Sequence, residues 1–254
     1  MTDTVSVIMP AYNVARFIAP ALRSLLREGD DVDLDIVVVD DGSTDGTLET
    51  AAAVAEGAAA IRIVPGEHRG VAAARNRGLA EIRPESRYIT FLDADDHSCP
   101  GRIRRQVDRL TALGGTGFVI GHAAFFEAID EDTSQIIPGS RTATVLGTML
   151  GSTLFDRVTF AAAGPFDEDL AAAEDIDMYL RLLERQVPYV VEPELALLYR
   201  RHGTNMTNDV HLIRRAIADA LRRSLARRRA TGGTMAIGRL FGAKSAAEEA
   251  FRNG

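Results

Sequence analysis

Tyr88-Ile89-Thr90-Phe91-Leu92-Asp93-Ala94-Asp95-Asp96-His97 sets five strand-forming residues directly against three carboxylates within four positions. A run of this kind reads as a buried strand. Asp93 and Asp95 then stand at the strand's carboxyl edge, where open α/β sheets bind their ligands. Adjacent carboxylates repel and are costly to desolvate, so a cation is their natural occupant. Hard oxygen ligands suit Mg²⁺ or Mn²⁺, ions that commonly hold substrate phosphates as well. A solvated acidic turn has the same composition, so the flanking sequence has to separate the two readings.

On the amino-terminal side, apolar runs predict strands over residues 5–9, 35–39 and 60–64. Helical spacing predicts helices over 17–26, from 47 to about 56, and over 71–80, with Asn13 as cap of the first and Gly29 closing it. Strands and helices that alternate in this way give right-handed crossovers and a parallel sheet covered on both faces. Tyr12-Asn13, Asp40-Asp41 and Asp93-Ala94-Asp95 each follow the carboxyl end of a strand, so all three converge on one edge. That shared phase favours a nucleotide-type site over unrelated acidic turns. No GxGxxG follows the first strand and no GxxxxGK[ST] occurs, which assigns phosphate binding to a cation rather than to a glycine cradle. A haloacid-dehalogenase reading of Asp93-x-Asp95 would want Thr or Val at 97, where this chain has His97.

The second half is less regular. A helix begun by Pro100 and Gly101 is expected to run to Leu113, with a strand over 118–129, a polar turn over 130–134, a weakly marked strand over 135–145, and either helix or strand over 148–158. Glu174-Asp175 opens a helix that ends before Pro188. Two short strands, 189–191 and 195–199, precede a polar loop at 200–205. From about 210 the chain reads as a basic helix, with seven arginines between Ile213 and Ala230. Its stripe of Leu212, Ile213, Ile217, Leu221 and Leu225 is available for burial, and the tail from 231 is Gly-rich and then weakly helical. The expected organisation is 1–98 as a nucleotide-binding half, 99–209 as an acceptor-binding half of the same domain, and 210–254 as a basic extension.

Composition narrows the classes. The chain has 254 residues, 46% hydrophobic and 26% charged, which suits one large soluble α/β domain. A net charge of -7 argues against nucleic acid as a partner. The one cysteine, Cys99, excludes an internal disulfide framework and fits a reducing cytoplasm. With no signal-type leader and no run of 18 apolar residues, a cytoplasmic protein is expected.

Five segments in order carry a family likeness: Val5-Ser-Val-Ile-Met-Pro-Ala-Tyr-Asn, Val37-Val-Val-Asp-Asp-Gly-Ser-Thr-Asp-Gly-Thr, Gly70-Val-Ala-Ala-Ala-Arg-Asn-Arg-Gly-Leu, Phe91-Leu-Asp-Ala-Asp-Asp and Phe166-Asp-Glu-x-Leu-x-x-x-Glu-Asp. Together they resemble glycosyltransferase family 2 over about residues 4–207. The resemblance implies the GT-A fold, with a Rossmann-like half built on a mostly parallel sheet. It implies transfer of a hexose-type sugar from a nucleotide-sugar donor, here a UDP-sugar, with inversion at the anomeric centre. Tyr12 would stack near the base, with Pro10 and Ala11 shaping its loop. Asp41 would hydrogen-bond the base and Arg75 would reach base or phosphate. Asp93 and Ala94 would line the donor site, Asp93 contacting the ribose or the metal's waters. Asp95 would ligate the Mn²⁺ or Mg²⁺ that bridges the diphosphate, Asp175 would be the general base, and His202 would be a late metal-side histidine. The acceptor is a hydroxyl on a glycan, a lipid-linked glycan or another molecule. The arginine-rich helix reads either as a solvated face or as contact with the inner face of a membrane, a phosphate-bearing acceptor or a second subunit.

The chemistry asks for the same groups. A departing nucleoside diphosphate needs its developing charge neutralised. An attacking hydroxyl needs a carboxylate to take its proton. A single displacement inverts the centre, and a helix amino terminus keeps Asp175 ionised. Two rivals use the same architecture. A sugar-phosphate nucleotidyltransferase would want a Gly-rich basic loop where this chain has Pro10-Ala11-Tyr12-Asn13. A non-catalytic GT-A-like module would have lost some of these residues.

Overall fold

The computed structural model describes residues 3–29, 32–146, 148–203 and 205–232. The expected tail beyond 232 lies outside the described residues. The first half runs β1 (Thr4–Ala11), α1 (Ile18–Leu26), β2 (Asp33–Asp40), α2 (Thr47–Ala55), β3 (Ile61–Pro65), α3 (Val71–Glu81) and β4 (Tyr88–Phe91). The second half adds β5 (His97–Ser98), α4 (Arg102–Ala112), β6 (Phe118–Phe126), β7 (Ile129–Asp130), β8 (Gln135–Ile136), β9 (Thr142–Leu146), β10 (Thr153–Asp156), α5 (Arg157–Ala163), α6 (Glu174–Glu184), β11 (Tyr189–Arg200) and α7 (Val210–Thr231).

Among the described residues one nine-stranded sheet has the order β3-β2-β1-β4-β10-β6-β11-β5, with β9 beside β6. The first four strands are parallel, as the alternating pattern requires. The chain reverses direction across the sheet between β1 and β4, the position where such sheets open a crevice for ligands. Both faces are covered. Val5, Val7 and Met9 of β1 pack with α1 and α4 residues such as Leu22, Ile103 and Val107. Ile8 packs on the opposite face with Phe91, Phe160, Phe166 and Tyr179. Gly78 lets α3 lie close on that sheet, since a Cβ there would stand 2.5 Å from Ile8 Cγ2.

Several local expectations are corrected. Pro10 lies inside β1 opposite Val39 rather than ending the strand. Strand alternation turns its missing N–H toward β4's side, and β4 has already ended at Phe91. Asn13 does not cap α1, which begins at Ile18 without a side-chain cap. Asn13 has a left-handed φ of 52° and accepts from the Thr44 N–H at 2.9 Å, tying the β1 and β2 loops together. The two strands expected at 189–199 are one strand, β11, whose pairing with β6 slips around Pro193. The ambiguous 148–158 segment is a short 3-10 turn, then β10, then the start of α5. On α7 the small residues Ala216, Ala220 and Ser224 are buried while Leu221 and Leu225 are 42% and 40% exposed. Of the expected stripe, Ile213 and Ile217 do pack inward with Ala172, Ala173 and Ala216, while small side chains let the rest of α7 lie close to α6 and turn Leu221 and Leu225 outward.

A candidate nucleotide-sugar site at the carboxyl edge

The edge loops meet as the sequence predicts, and hydrogen bonds fix their heights. The Asp41 N–H donates to the Ala11 carbonyl at 2.8 Å, and the Leu92 N–H donates to Ile8 at 3.1 Å. Pro10 and Ala11 are buried, so they act through backbone shape, while Tyr12 emerges 44% exposed at the rim.

Tyr12 stacks on His68, ring centroids 4.0 Å apart. His68 Nδ1 lies 2.9 Å from Asp41 Oδ2. Asp41 also accepts from the N–H groups of Arg69 and Gly70, both at 2.9 Å. Its carboxylate is thereby fixed against the amino end of α3, where helix amides favour negative charge. Gly42, at φ +78°, permits this approach, because a Cβ would meet His68 N at 2.9 Å. Beside Asp41 a cleft of about 500 Å³ is lined by Asp40, Pro65, Glu67, Arg69, Ala73 and Arg77, among others.

Arg75 is buried between two further motifs. It donates to Asp93 Oδ1 at 2.8 Å and to Glu174, and lies over the Phe166 ring at 5.7 Å. Burial pulls its pKa down, but Asp93, Glu174 and Asp175 outweigh that and raise it. The guanidinium is therefore held by carboxylates of the loop after β4 and of α6. Ala173, at φ 62°, makes the left-handed turn that precedes Glu174 and Asp175. Asp175 lies in the first turn of α6, and its Oδ1 accepts from the Ile176 N–H at 2.7 Å.

Asp95 and His202, 107 residues apart in sequence, meet at 2.8 Å through Asp95 Oδ2 and His202 Nε2, with Asn205 Nδ2 at 3.3 Å from the same oxygen. Ala94 is buried between the two loop aspartates. Asp96 turns inward, and burial followed by the charges of Asp95 and Asp93 raises its pKa well above the carboxylate range. His97 is fully buried and held down to about 4, chiefly by burial. Among the described residues no three His, Cys, Asp or Glu side chains are grouped to hold an ion by themselves. Mg²⁺-type sites commonly use one or two protein carboxylates and leave the remaining positions to phosphate and water. A 20%-exposed Asp95 side chain beside a 17%-exposed imidazole fits that arrangement.

Spacing alone did not single out His68 or Arg200. His68 lies after β3 and was detectable by the same strand-end phase that singled out Asp41 and Asp93. Arg200 ends β11, two residues before His202.

The chain is similar to known proteins. Residues 6–166 match the sequence profile of Glycosyl transferase family 2. The succinoglycan biosynthesis protein ExoU of Rhizobium meliloti is 31% identical over 209 residues, covering 74% of this chain and 59% of ExoU. The minor teichoic acid biosynthesis protein GgaA of Bacillus subtilis is 24% identical over 77% of this chain and 47% of its own length. The chain thus spans only part of these relatives. Among solved structures, S. aureus TarS residues 1-349 in complex with UDP-GlcNAc superimposes with a TM-score of 0.63 at 18% identity, over 81% of this chain and 61% of that one. The mannosyltransferase PcManGT of Pyrobaculum calidifontis, in complex with GDP-Man and Mn²⁺, gives 0.63 at 21% identity, over 89% and 66%. These neighbours share the GT-A fold with this chain.

Proposed function

The chain belongs to glycosyltransferase family 2, and on that footing we propose that it transfers a sugar from a UDP-sugar to an acceptor hydroxyl by a single inverting displacement that needs a divalent ion. The observation that best supports this is the Asp95–His202 pair at 2.8 Å, at the carboxyl edge beside the sheet's switch point. Asp95, with His202, would hold Mn²⁺ or Mg²⁺. Once bound, the ion would neutralise charge developing on the departing diphosphate. Tyr12 offers an aromatic face for the base. Asp41, beside that face, is a carboxylate acceptor suited to the N3–H of uracil. Arg75 holds Asp93 in the donor loop and Glu174 next to Asp175. Asp175 would take the acceptor proton, favoured as a carboxylate by the start of α6. The biosynthetic names of ExoU and GgaA support a growing glycan or glycan-bearing polymer as acceptor.

The reading extends to location. Among the described residues no helix is long and apolar enough to cross a membrane. On α7, exposed Arg214, Arg215, Arg222 and Arg229 flank exposed Leu221 and Leu225. That face suits the anionic inner surface of a membrane, which would bring the site to a lipid-linked acceptor.

The test is turnover on a panel of UDP-sugars with Mn²⁺, with product configuration read by NMR. Asp175→Asn should lower kcat by about 10²–10⁴-fold and leave UDP affinity in place. An unchanged rate would remove Asp175 as the base, and a retained anomeric configuration would contradict single displacement.

A further inference from the structure

Arg200 sits behind the Asp93–Asp95 loop and touches it at several points. Its backbone N–H donates to Asp96 Oδ1 at 2.8 Å, and its Nε donates to the Asp95 carbonyl at 3.0 Å. Its Nη2 donates to both oxygens of Glu131, at 2.8 and 2.9 Å, and lies 2.9 Å from His97 Nε2. The guanidinium carbon is 5.2 Å from the Phe17 ring centroid and 5.1 Å from that of Phe126. Phe17 in turn stacks on His202 at 4.6 Å with an interplanar angle of 23°. One side chain therefore sets the Asp95 backbone and, through Phe17, the plane of the His202 ring. The side chains of those two residues meet at 2.8 Å.

We propose that Arg200 is a positioning residue for metal-assisted donor binding, fixing Asp95 and His202 in the orientation that lets them share one ion, with Glu131 anchoring its guanidinium from the β7–β8 turn. The inference rests on the reading of Asp95 and His202 as the metal side of the donor site. Groups that orient a metal ligand from behind commonly change metal affinity by 10–100-fold when removed. A planar fork between two aromatic faces, with one edge on a carbonyl and another on a carboxylate, is a geometry that lysine cannot reproduce.

The experiment measures Mn²⁺ uptake in the presence of saturating UDP, from the loss of the free-Mn²⁺ electron paramagnetic resonance signal. It compares wild type, Arg200→Gln, Arg200→Lys, Glu131→Gln and Asp95→Ala. Thermal melts and metal-free UDP affinity are recorded alongside. Arg200→Gln and Arg200→Lys should each weaken Mn²⁺ about tenfold or more, while metal-free UDP affinity stays at the wild-type value. Glu131→Gln keeps Arg200 but releases its anchor, and should weaken Mn²⁺ measurably but less than the Arg200 variants. Wild-type Mn²⁺ affinity in a folded Arg200→Gln protein would overturn the proposal and leave the donor site standing. If Arg200→Gln does not fold, unchanged affinity in Glu131→Gln overturns it equally. Failure of the wild type to take up Mn²⁺ with UDP, GDP or dTDP would overturn the donor-site reading itself, and this inference with it.

Discussion

A guanidinium as deeply buried as that of Arg75 stays comfortable only while Asp93 and Glu174 face it as carboxylates. Arg75→Ala removes the cation and strands Glu174, whose side chain is 8% exposed. Breaking a buried pair in this way costs about 3–5 kcal/mol, so denaturant melts of Arg75→Ala should show a loss of that size. A loss below 1 kcal/mol would mean that Glu174 finds water or another partner. Asp93 and Asp95 stand out in the sequence as acids at the end of a strand, and Asp175 as an acid at the start of a helix whose proposed role comes from the family resemblance alone. The partners of these residues do not stand out. Arg200 reaches the Asp95 carbonyl across 105 residues, and Phe17 reaches His202 from the other end of the chain. No local spacing encodes such contacts. His68 illustrates the intermediate case: its strand-end position was readable, but its stacking on Tyr12 depends on how far the β3 loop folds back over Asp41.

Elements were predictable where one period dominated. The four parallel strands and α1 to α3 follow from apolar runs and helical spacing. Misreadings fall where two physical demands compete. Pro193 interrupts pairing without ending β11. On α7 close packing against α6 outweighed the hydrophobicity of Leu221 and Leu225. Two substitutions test these contacts. Gly78→Ala would push a methyl to within 2.5 Å of Ile8 Cγ2 and 3.2 Å of Val39 Cγ2, and should destabilise by about 1–3 kcal/mol, the usual cost of overpacking. Ala220, fully buried on α7, should resist enlargement to Leu by a similar amount, about 1–3 kcal/mol, whereas Leu221→Gln should leave the melt unchanged. Equal melts for Ala220→Leu and wild type would return α7 to its leucine-inward orientation. On the outward face, vesicles rich in phosphatidylglycerol should retain the protein at low salt, and an Arg214→Gln, Arg215→Gln, Arg222→Gln, Arg229→Gln variant should stay in the supernatant. Equal sedimentation with neutral phosphatidylcholine vesicles would count against an electrostatic membrane face.

For the molecule as a whole, the sheet binds two unequal halves: a regular parallel half and a second half of short strands that returns Arg200 and His202 to the first half's edge. Cys99 reports on the integrity of that union. It is 7% exposed, and burial pushes its thiol up to about 12. A chromogenic disulfide reagent at pH 8 should find it unreactive until the protein unfolds, and immediate labelling would contradict the packing of β5 against β11. The proposed function stands or falls with the acidic loop after β4. Calorimetric titration of UDP, with and without Mn²⁺, on wild type and Asp95→Ala addresses it without need of the acceptor. UDP binding that Mn²⁺ strengthens in the wild type but not in Asp95→Ala is the predicted result, and UDP binding of equal strength with and without metal in the wild type, or an equal gain from metal in the variant, would contradict it.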